Sequence, residues 1–310
     1  MPLKGSPPTA GEAMVHANGI DLCYQSLGDA QAPVILLVMG LGMQLIAWPD
    51  AFCAGLVGHG FRVIRFDNRD AGHSTHITWG QRPRIPLAIA RSVLGLPVRS
   101  PYLISDMAAD TIGLLDALQI VRAHVVGASM GGMIAQCMAA RHPQRLLSLT
   151  SIMSGSGYWR NSCGKPDALR QLLRRPPEPP DDLQSQVEYR LRVASVIASP
   201  GFPHDQGELR RQLERTVRRA HYPRGQLQQL LAIVASGDRR CELAKICTPT
   251  LVIHGADDPL LPVAAGRETA RHIPGARLQI IQGMGHDLPP GVQALLIEAI
   301  IRHCRVATPA

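Results

Sequence analysis

Three stretches of the chain carry residue types suited to acyl transfer. The first is Gly127-Ala128-Ser129-Met130-Gly131. By itself a G-x-S-x-G pattern is a weak signal. Here an apolar run, His124 to Ala128, leads into it, and Met130 to Arg141 follows with helical character, closed by Pro143. A sharp strand-to-helix turn forces the Ser into a strained backbone conformation and lifts its hydroxyl clear of the sheet. Glycines two residues before and after leave room for neighbouring backbone. A Ser hydroxyl is a poor nucleophile until a base removes its proton. The second and third stretches supply an acid and a base. Leu251 to His254 reads as a strand and runs into Gly255-Ala256-Asp257-Asp258-Pro259. Leu278 to Ile281 reads as the last strand and runs into Gly283-Met284-Gly285-His286-Asp287. Both deliver their side chains to C-terminal strand ends, on the same edge as Ser129, in the chain order Ser, Asp, His. His286 is expected to take the Ser129 proton and later give it to the leaving group. An ionised Asp would hold the imidazole tautomer.

The elements that must position these groups alternate along the chain. An Asn18-Gly19 turn followed by Ile20 to Gln25 predicts an opening β-hairpin. Val34 to Met39 is a continuous apolar run of buried-strand type. Gln44 to His59 reads as a helix and Phe61 to Asp67 as a strand; Ser105, as a cap, starts a helix with Asp106 in its first turn. Leu146 to Met153, Thr250 to His254 and Arg277 to Gln282 are further strands, and Ala264 to His272 and Val292 to His303 further helices. This rhythm predicts an α/β fold: a mostly parallel sheet with helices on both faces, begun by an antiparallel hairpin.

Two segments break the rhythm. Thr75 to Tyr102 holds a helical candidate, Pro86 to Leu96, and reads as part of a pocket rim. Residues 155–246 form a longer insertion, stiffened at Pro176, Pro177, Pro179 and Pro180, with one apolar stripe at Leu209, Leu213, Val217 and Ala220 and another at Leu227, Leu230, Leu231 and Val234. Both follow C-terminal strand ends, where ligand sites of open α/β sheets lie. The expected organisation is a core of residues 1–154 and 247–310 with a helical cap at 155–246.

Composition excludes several classes. With 45% hydrophobic and 18% charged residues, wholesale disorder is ruled out. No apolar run reaches the length of a membrane span, and the first residues show no secretory pattern, so a cytoplasmic protein is expected. Seven cysteines without a C-x-x-C pair read as reduced, mostly buried thiols, and no His spacing suggests a metal. Net charge is +8, of which 16 basic against 10 acidic residues fall in 155–246. That excess reads either as a solvated helical surface or as a dock for an acidic partner or anionic substrate. Aromatics at 4% and the lack of a binding motif argue against nucleic acid.

The chain resembles the α/β-hydrolase family over nearly its whole length: Met39-Gly40-Leu41-Gly42, Asp67 to Ser74, Gly127 to Gly131, His254 to Pro259 and Gly283 to Asp287. Within it the Trp48-Pro49-Asp50 run and the Gly-Met-Gly-His ending look most like bacterial esterases. The resemblance implies an α/β-hydrolase fold with a helical cap. It assigns Asp258, which precedes Pro259, as the triad acid and leaves Asp257 as a turn residue. The oxyanion needs backbone N–H donors; Met130, after the nucleophile, supplies one, and by match to the family Leu41 supplies the other. Met39, Met43, Trp48, Trp159 and Met284 are candidates for lining a soft apolar pocket.

The expected activity is therefore cofactor-independent hydrolysis of carboxylic esters of small, largely apolar molecules through an acyl-enzyme. The alternatives are perhydrolase (haloperoxidase-like) chemistry or C–C bond hydrolysis by the same triad. A binding protein on this fold is disfavoured because every triad position is filled. An acidic carrier protein delivering the substrate to the Arg-rich cap is a further partner to test.

Overall fold

A computed structural model describes residues 11–81, 84–161, 163–174 and 182–308. The expected proline break at 176–180 lies outside the described residues.

Among the described residues eight strands form one sheet: β1 (Glu12–Ala17), β2 (Ile20–Leu27), β3 (Val34–Val38), β4 (Arg62–Phe66), β5 (Ala123–Ala128), β6 (Leu146–Ile152), β7 (Thr250–Gly255) and β8 (Arg277–Ile281). Their spatial order is β1-β2-β4-β3-β5-β6-β7-β8. β2 pairs antiparallel with both β1 and β4, and β3 to β8 run parallel. The hairpin between β1 and β2 turns on Asn18 (φ 49°) and Gly19 (φ 76°), the left-handed pair that matches strand twist in a two-residue turn. β3, β5 and β7 are buried throughout, as strands covered on both faces must be.

Between the strands run α1 (Asp50–Gly58), α2 (Ile85–Val93), α3 (Ile104–Ala117) and α4 (Met130–Arg141). Among the described residues five α-helices separate β6 from β7: α5 (Pro166–Leu172), α6 (Leu183–Ile197), α7 (Gln206–Arg219), α8 (Pro223–Ser236) and α9 (Arg240–Leu243). Then come α10 (Val263–His272) and α11 (Pro290–Ala307). One face of the sheet packs on α3 and α4 through Met107, Leu114, Ile134 and Met138. The other packs on α1 and α11 through Phe52, Leu56, Leu296 and Ile300. Among the described residues no helix is long and apolar enough to cross a membrane.

Two local expectations need correction. Gln44 to His59 is not one helix: a single 3-10 turn, Leu45–Ala47, precedes α1, and Pro49, which has no N–H to continue the ladder, stands between them. Ser105 does not cap α3. The helix starts one residue earlier, and the Asp106 carboxylate accepts the Leu103 amide at 2.7 Å. The carboxylate in the first turn satisfies the free amide from inside the helix. Of the cysteines, Cys23, Cys53, Cys137 and Cys304 are buried and Cys163, Cys241 and Cys247 exposed, all as free thiols.

Burial of neutral imidazoles makes the sheet acid-sensitive. His124 of β5 is buried, pairs its Nδ1 with Ser148 Oγ at 2.8 Å and meets Phe61 edge-on. Burial, helped by His303 and Arg122, lowers its pKa from 6.5 to about 4. Between those values the unfolded chain binds the proton and the folded chain does not. The stabilisation is therefore full above pH 6.5 and is lost as pH falls toward 4. His124 alone is expected to remove about 2 kcal/mol between pH 7.5 and pH 5. Urea midpoints at those two pH values check this. His124→Gln should flatten the dependence by about one proton, and an unchanged slope would show that His124 titrates freely in the folded state.

Candidate active site

Ser129 sits between β5 and α4 with φ 54° and ψ −120°, a conformation that ordinary side chains avoid. Its surroundings hold it there. Its amide donates to the Ile152 carbonyl at 2.9 Å, and Ser154 Oγ donates to its carbonyl at 2.7 Å. A Cβ on Gly127 would strike the Gly131 carbonyl, and one on Gly131 would strike the Val38 carbonyl of β3. Only glycine lets the turn close this tightly.

The His286 loop after β8 and the Asp258 loop after β7 reach the same point. His286 Nε2 lies 2.9 Å from Ser129 Oγ, and His286 Nδ1 lies 2.7 Å from Asp258 Oδ2. Asp258 Oδ1 accepts the amides of Leu260 at 2.9 Å and Leu261 at 2.8 Å. Burial alone would raise the Asp258 carboxyl, but His286, His254 and the Leu261 amide outweigh it and hold the group below the usual carboxylate range. With an ionised Asp258 facing Nδ1, the ring proton belongs on Nδ1 and the Nε2 lone pair faces the Ser129 hydroxyl. The neighbouring Asp257 turns away from His286. Its carboxylate accepts the Gly283 amide at 2.9 Å and ties the two loops together.

Met130 is the first residue of α4, so its amide has no acceptor one turn back. Gly40 presses on Ser129: a Cβ there would lie 3.1 Å from Ser129 Cβ and 3.6 Å from its Oγ. Leu41 follows at this contact. The next residue, Gly42, donates its amide to Gln229 Oε1 of α8 at 2.7 Å, and Gln229 Nε2 donates to the Arg69 carbonyl at 2.7 Å. One α8 side chain thus braces two loops beside the site.

Of the pocket candidates, Trp48 stacks on Phe52 with ring centroids 5.3 Å apart and is fully buried. Met39 and Met284 share its core cluster. These three fill the core beneath the site, while Met43 and Trp159 are exposed. A narrow cavity instead lies between the Gly42 turn and the insertion, lined by Gln44, Asp70, Tyr189, Arg190 and Tyr222.

Several supporting residues gave no sequence signal. The end of α6 and the segment after it are sewn to the His loop: His286 donates its amide to the Ile197 carbonyl at 2.8 Å, and Gly285 donates to Ser199 Oγ at 2.8 Å. Ser199 Oγ donates to Asp287, whose other oxygen pairs with His204 Nε2 at 2.9 Å. His254, buried in β7, donates Nε2–H to the Leu261 carbonyl at 2.8 Å and lies 3.6 Å from Asp258 Oδ2. Burial lowers its pKa and keeps it neutral beside the carboxylate.

A second charged cluster fastens the insertion to the sheet. Arg219, the last residue of α7, meets Glu12 at 2.8 Å, Asp67 at 2.7 Å and Gln44 Oε1 at 2.8 Å, all buried. Among the described residues, Glu12, Cys23 and His73 are grouped closely enough to ligate a metal ion. The guanidinium already stands in that group, 3.5 Å from Cys23 Sγ, so the cluster has its cation. Removing one partner of a buried pair leaves uncompensated charge. Arg219→Met is therefore expected to destabilise the protein by about 3–5 kcal/mol, read as a lower urea midpoint. A loss below about 1 kcal/mol would mean that the pair is hydrated in solution.

Residues 33–289 match the family model described as alpha/beta hydrolase fold. Rhodomycin D methylesterase DnrP of Streptomyces peucetius is 30% identical over 314 residues, covering 95% of this chain and 98% of that protein. 3-oxoadipate enol-lactonase 2 of Acinetobacter baylyi is 28% identical over 86% of each chain. The crystal structure of the enol-lactonase from Burkholderia xenovorans superposes with a TM-score of 0.68 at 25% identity, covering 94% of this chain and 99% of the other.

Proposed function

Because the chain belongs to the alpha/beta hydrolase family, we propose that it is a carboxylic ester hydrolase working through an acyl-enzyme on Ser129. The observation that carries this reading is the relay Asp258–His286–Ser129, with contacts of 2.7 and 2.9 Å. His286 Nε2 takes the Ser129 proton as Oγ attacks the acyl carbon. The amides of Leu41 and Met130 meet the charge that develops on the carbonyl oxygen. His286 then protonates the departing alkoxide, activates a water, and the acyl group leaves as the free acid. Asp258 stabilises the imidazolium in both steps and does not itself take the proton.

The substrates proposed are small, largely apolar esters, and residues 155–246 act as a cap over the core formed by 1–154 and 247–310. The relatives named methylesterase and enol-lactonase direct the first assays to methyl esters and lactones. Part of the basic surplus in the insertion is met by acids of the core: Arg219 by Glu12 and Asp67, Arg215 by Asp50 at 3.7 Å and Arg240 by Glu268 at 3.6 Å. That favours a free small molecule over an ester presented by an acidic carrier.

Labelling with a fluorophosphonate tests the nucleophile: one adduct on the peptide carrying Ser129 is expected. Turnover of p-nitrophenyl esters graded by acyl length, set beside peroxide-dependent bromination and a C–C cleavage substrate, tests the reaction. Bromination or C–C cleavage without ester turnover would overturn the esterase reading.

A further inference from the structure

Helix α2 carries apolar side chains on two opposite faces, with Arg91 between them, yet only one of those faces is covered. Ile85 and Ala88 turn inward and pack with Leu230 and Leu231 of α8. The opposite face presents Pro86, Leu87, Ala90, Val93 and Leu94 to water. Leu94 is 72% exposed, Leu87 52% and Val93 51%. Ile89, Leu96 and Leu103 add to the same stretch, so six of the fourteen exposed large apolar side chains among the described residues fall between 87 and 103. A contiguous apolar patch of this kind marks an interaction surface.

Charge identifies what covers it. No Asp or Glu occurs between Asp70 and Asp106, while Arg82, Arg84, Arg91 and Arg99 flank the apolar residues in sequence. Arg84 and Arg99 are exposed at the two ends of the patch, and Arg91 reaches along it to the Pro97 carbonyl at 2.9 Å. A second copy docked through this face by a twofold axis would bring the arginines of both copies into one interface with no carboxylate of this segment to meet them. An acyl-chain boundary rimmed by anionic headgroups answers both the apolar centre and the cationic rim.

We propose that α2 and the Leu94–Leu103 segment after it dock the protein on an anionic membrane surface, with Leu87, Val93 and Leu94 entering the headgroup boundary and the arginines meeting lipid phosphates. The inner face of α2 contacts the cluster that includes Leu41. The docked protein thereby holds the Ser129 side of the fold close to the bilayer.

Flotation with vesicles of phosphatidylcholine containing about one third phosphatidylglycerol tests this. The full chain is expected to float, and to bind pure phosphatidylcholine roughly a hundredfold less, since three arginines each contribute about fivefold near an anionic surface. Leu87→Glu with Leu94→Glu should cut partitioning by at least about tenfold while leaving the melting temperature and the far-UV circular dichroism spectrum unchanged. Ser129→Ala should float like the wild type, which separates this proposal from the hydrolase reading. Failure to float, flotation indifferent to the double substitution, or a dimer that the double substitution dissociates would each overturn it.

Discussion

Ser129→Ala is expected to lower kcat for ester hydrolysis by about a millionfold. The substitution removes only Oγ. The backbone strain at φ 54° stays, because Ala carries the same Cβ, and the bonds from the Ser129 amide to Ile152 and from Ser154 to the Ser129 carbonyl stay too. Stability should therefore change by less than about 1 kcal/mol, and circular dichroism and the melting temperature check that directly. His286→Ala should cost about as much, and the double variant little more than either, because the two groups act on one proton and their losses do not add. What activity remains comes from the Leu41 and Met130 amides and from substrate binding. Turnover of Ser129→Ala within tenfold of the wild type would move the nucleophile elsewhere.

How much of this was legible depends on range. Val34 to Val38 is legible as a strand because a short apolar run rich in β-branched Val and Ile lies between Pro33 and Gly40, too short for a helix. The Ser129 turn was legible because its demands are local: a strand before, a helix after, and glycine where a Cβ would meet backbone. Asp258 and His286 could be read as strand-end residues, although 28 and 157 positions separate His286 from its partners.

The supports were not legible. Gln229 reaches the Gly42 amide across 187 positions, Arg219 reaches Asp67 across 152, and Ser199 reaches Asp287 across 88. Each is a single polar residue in a helix or loop, and nothing in hydrophobic periodicity says which carbonyl or carboxylate it will meet. Trp48 illustrates the opposite limit. Its type suits a pocket as well as a core, and stacking on Phe52, four residues on, decides for the core. The α3 cap and the split before α1 are smaller instances, decided by one carboxylate and one proline.

Asp258→Asn is expected to lower kcat by about ten-thousandfold with little change in KM. Asp258 Oδ1 takes two amides, from Leu260 and Leu261, and an amide NH2 cannot accept them. The Asn oxygen must stay on that side, which turns its NH2 toward His286 Nδ1. The ring then keeps its proton on Nε2, where it faces Ser129 Oγ with a donor in place of a lone pair. Geometry survives and the base is lost. Acid does not reproduce this state near neutrality, because His286, His254 and the Leu261 amide already hold the Asp258 carboxyl below the usual carboxylate range. Asp257→Asn is the matched control: its side-chain oxygen can still accept the Gly283 amide, so turnover should stay within a fewfold of the wild type. If Asp257→Asn instead proves the more damaging of the two, the acid of the relay has been misassigned by one residue, and the 2.7 Å contact to His286 has no catalytic weight.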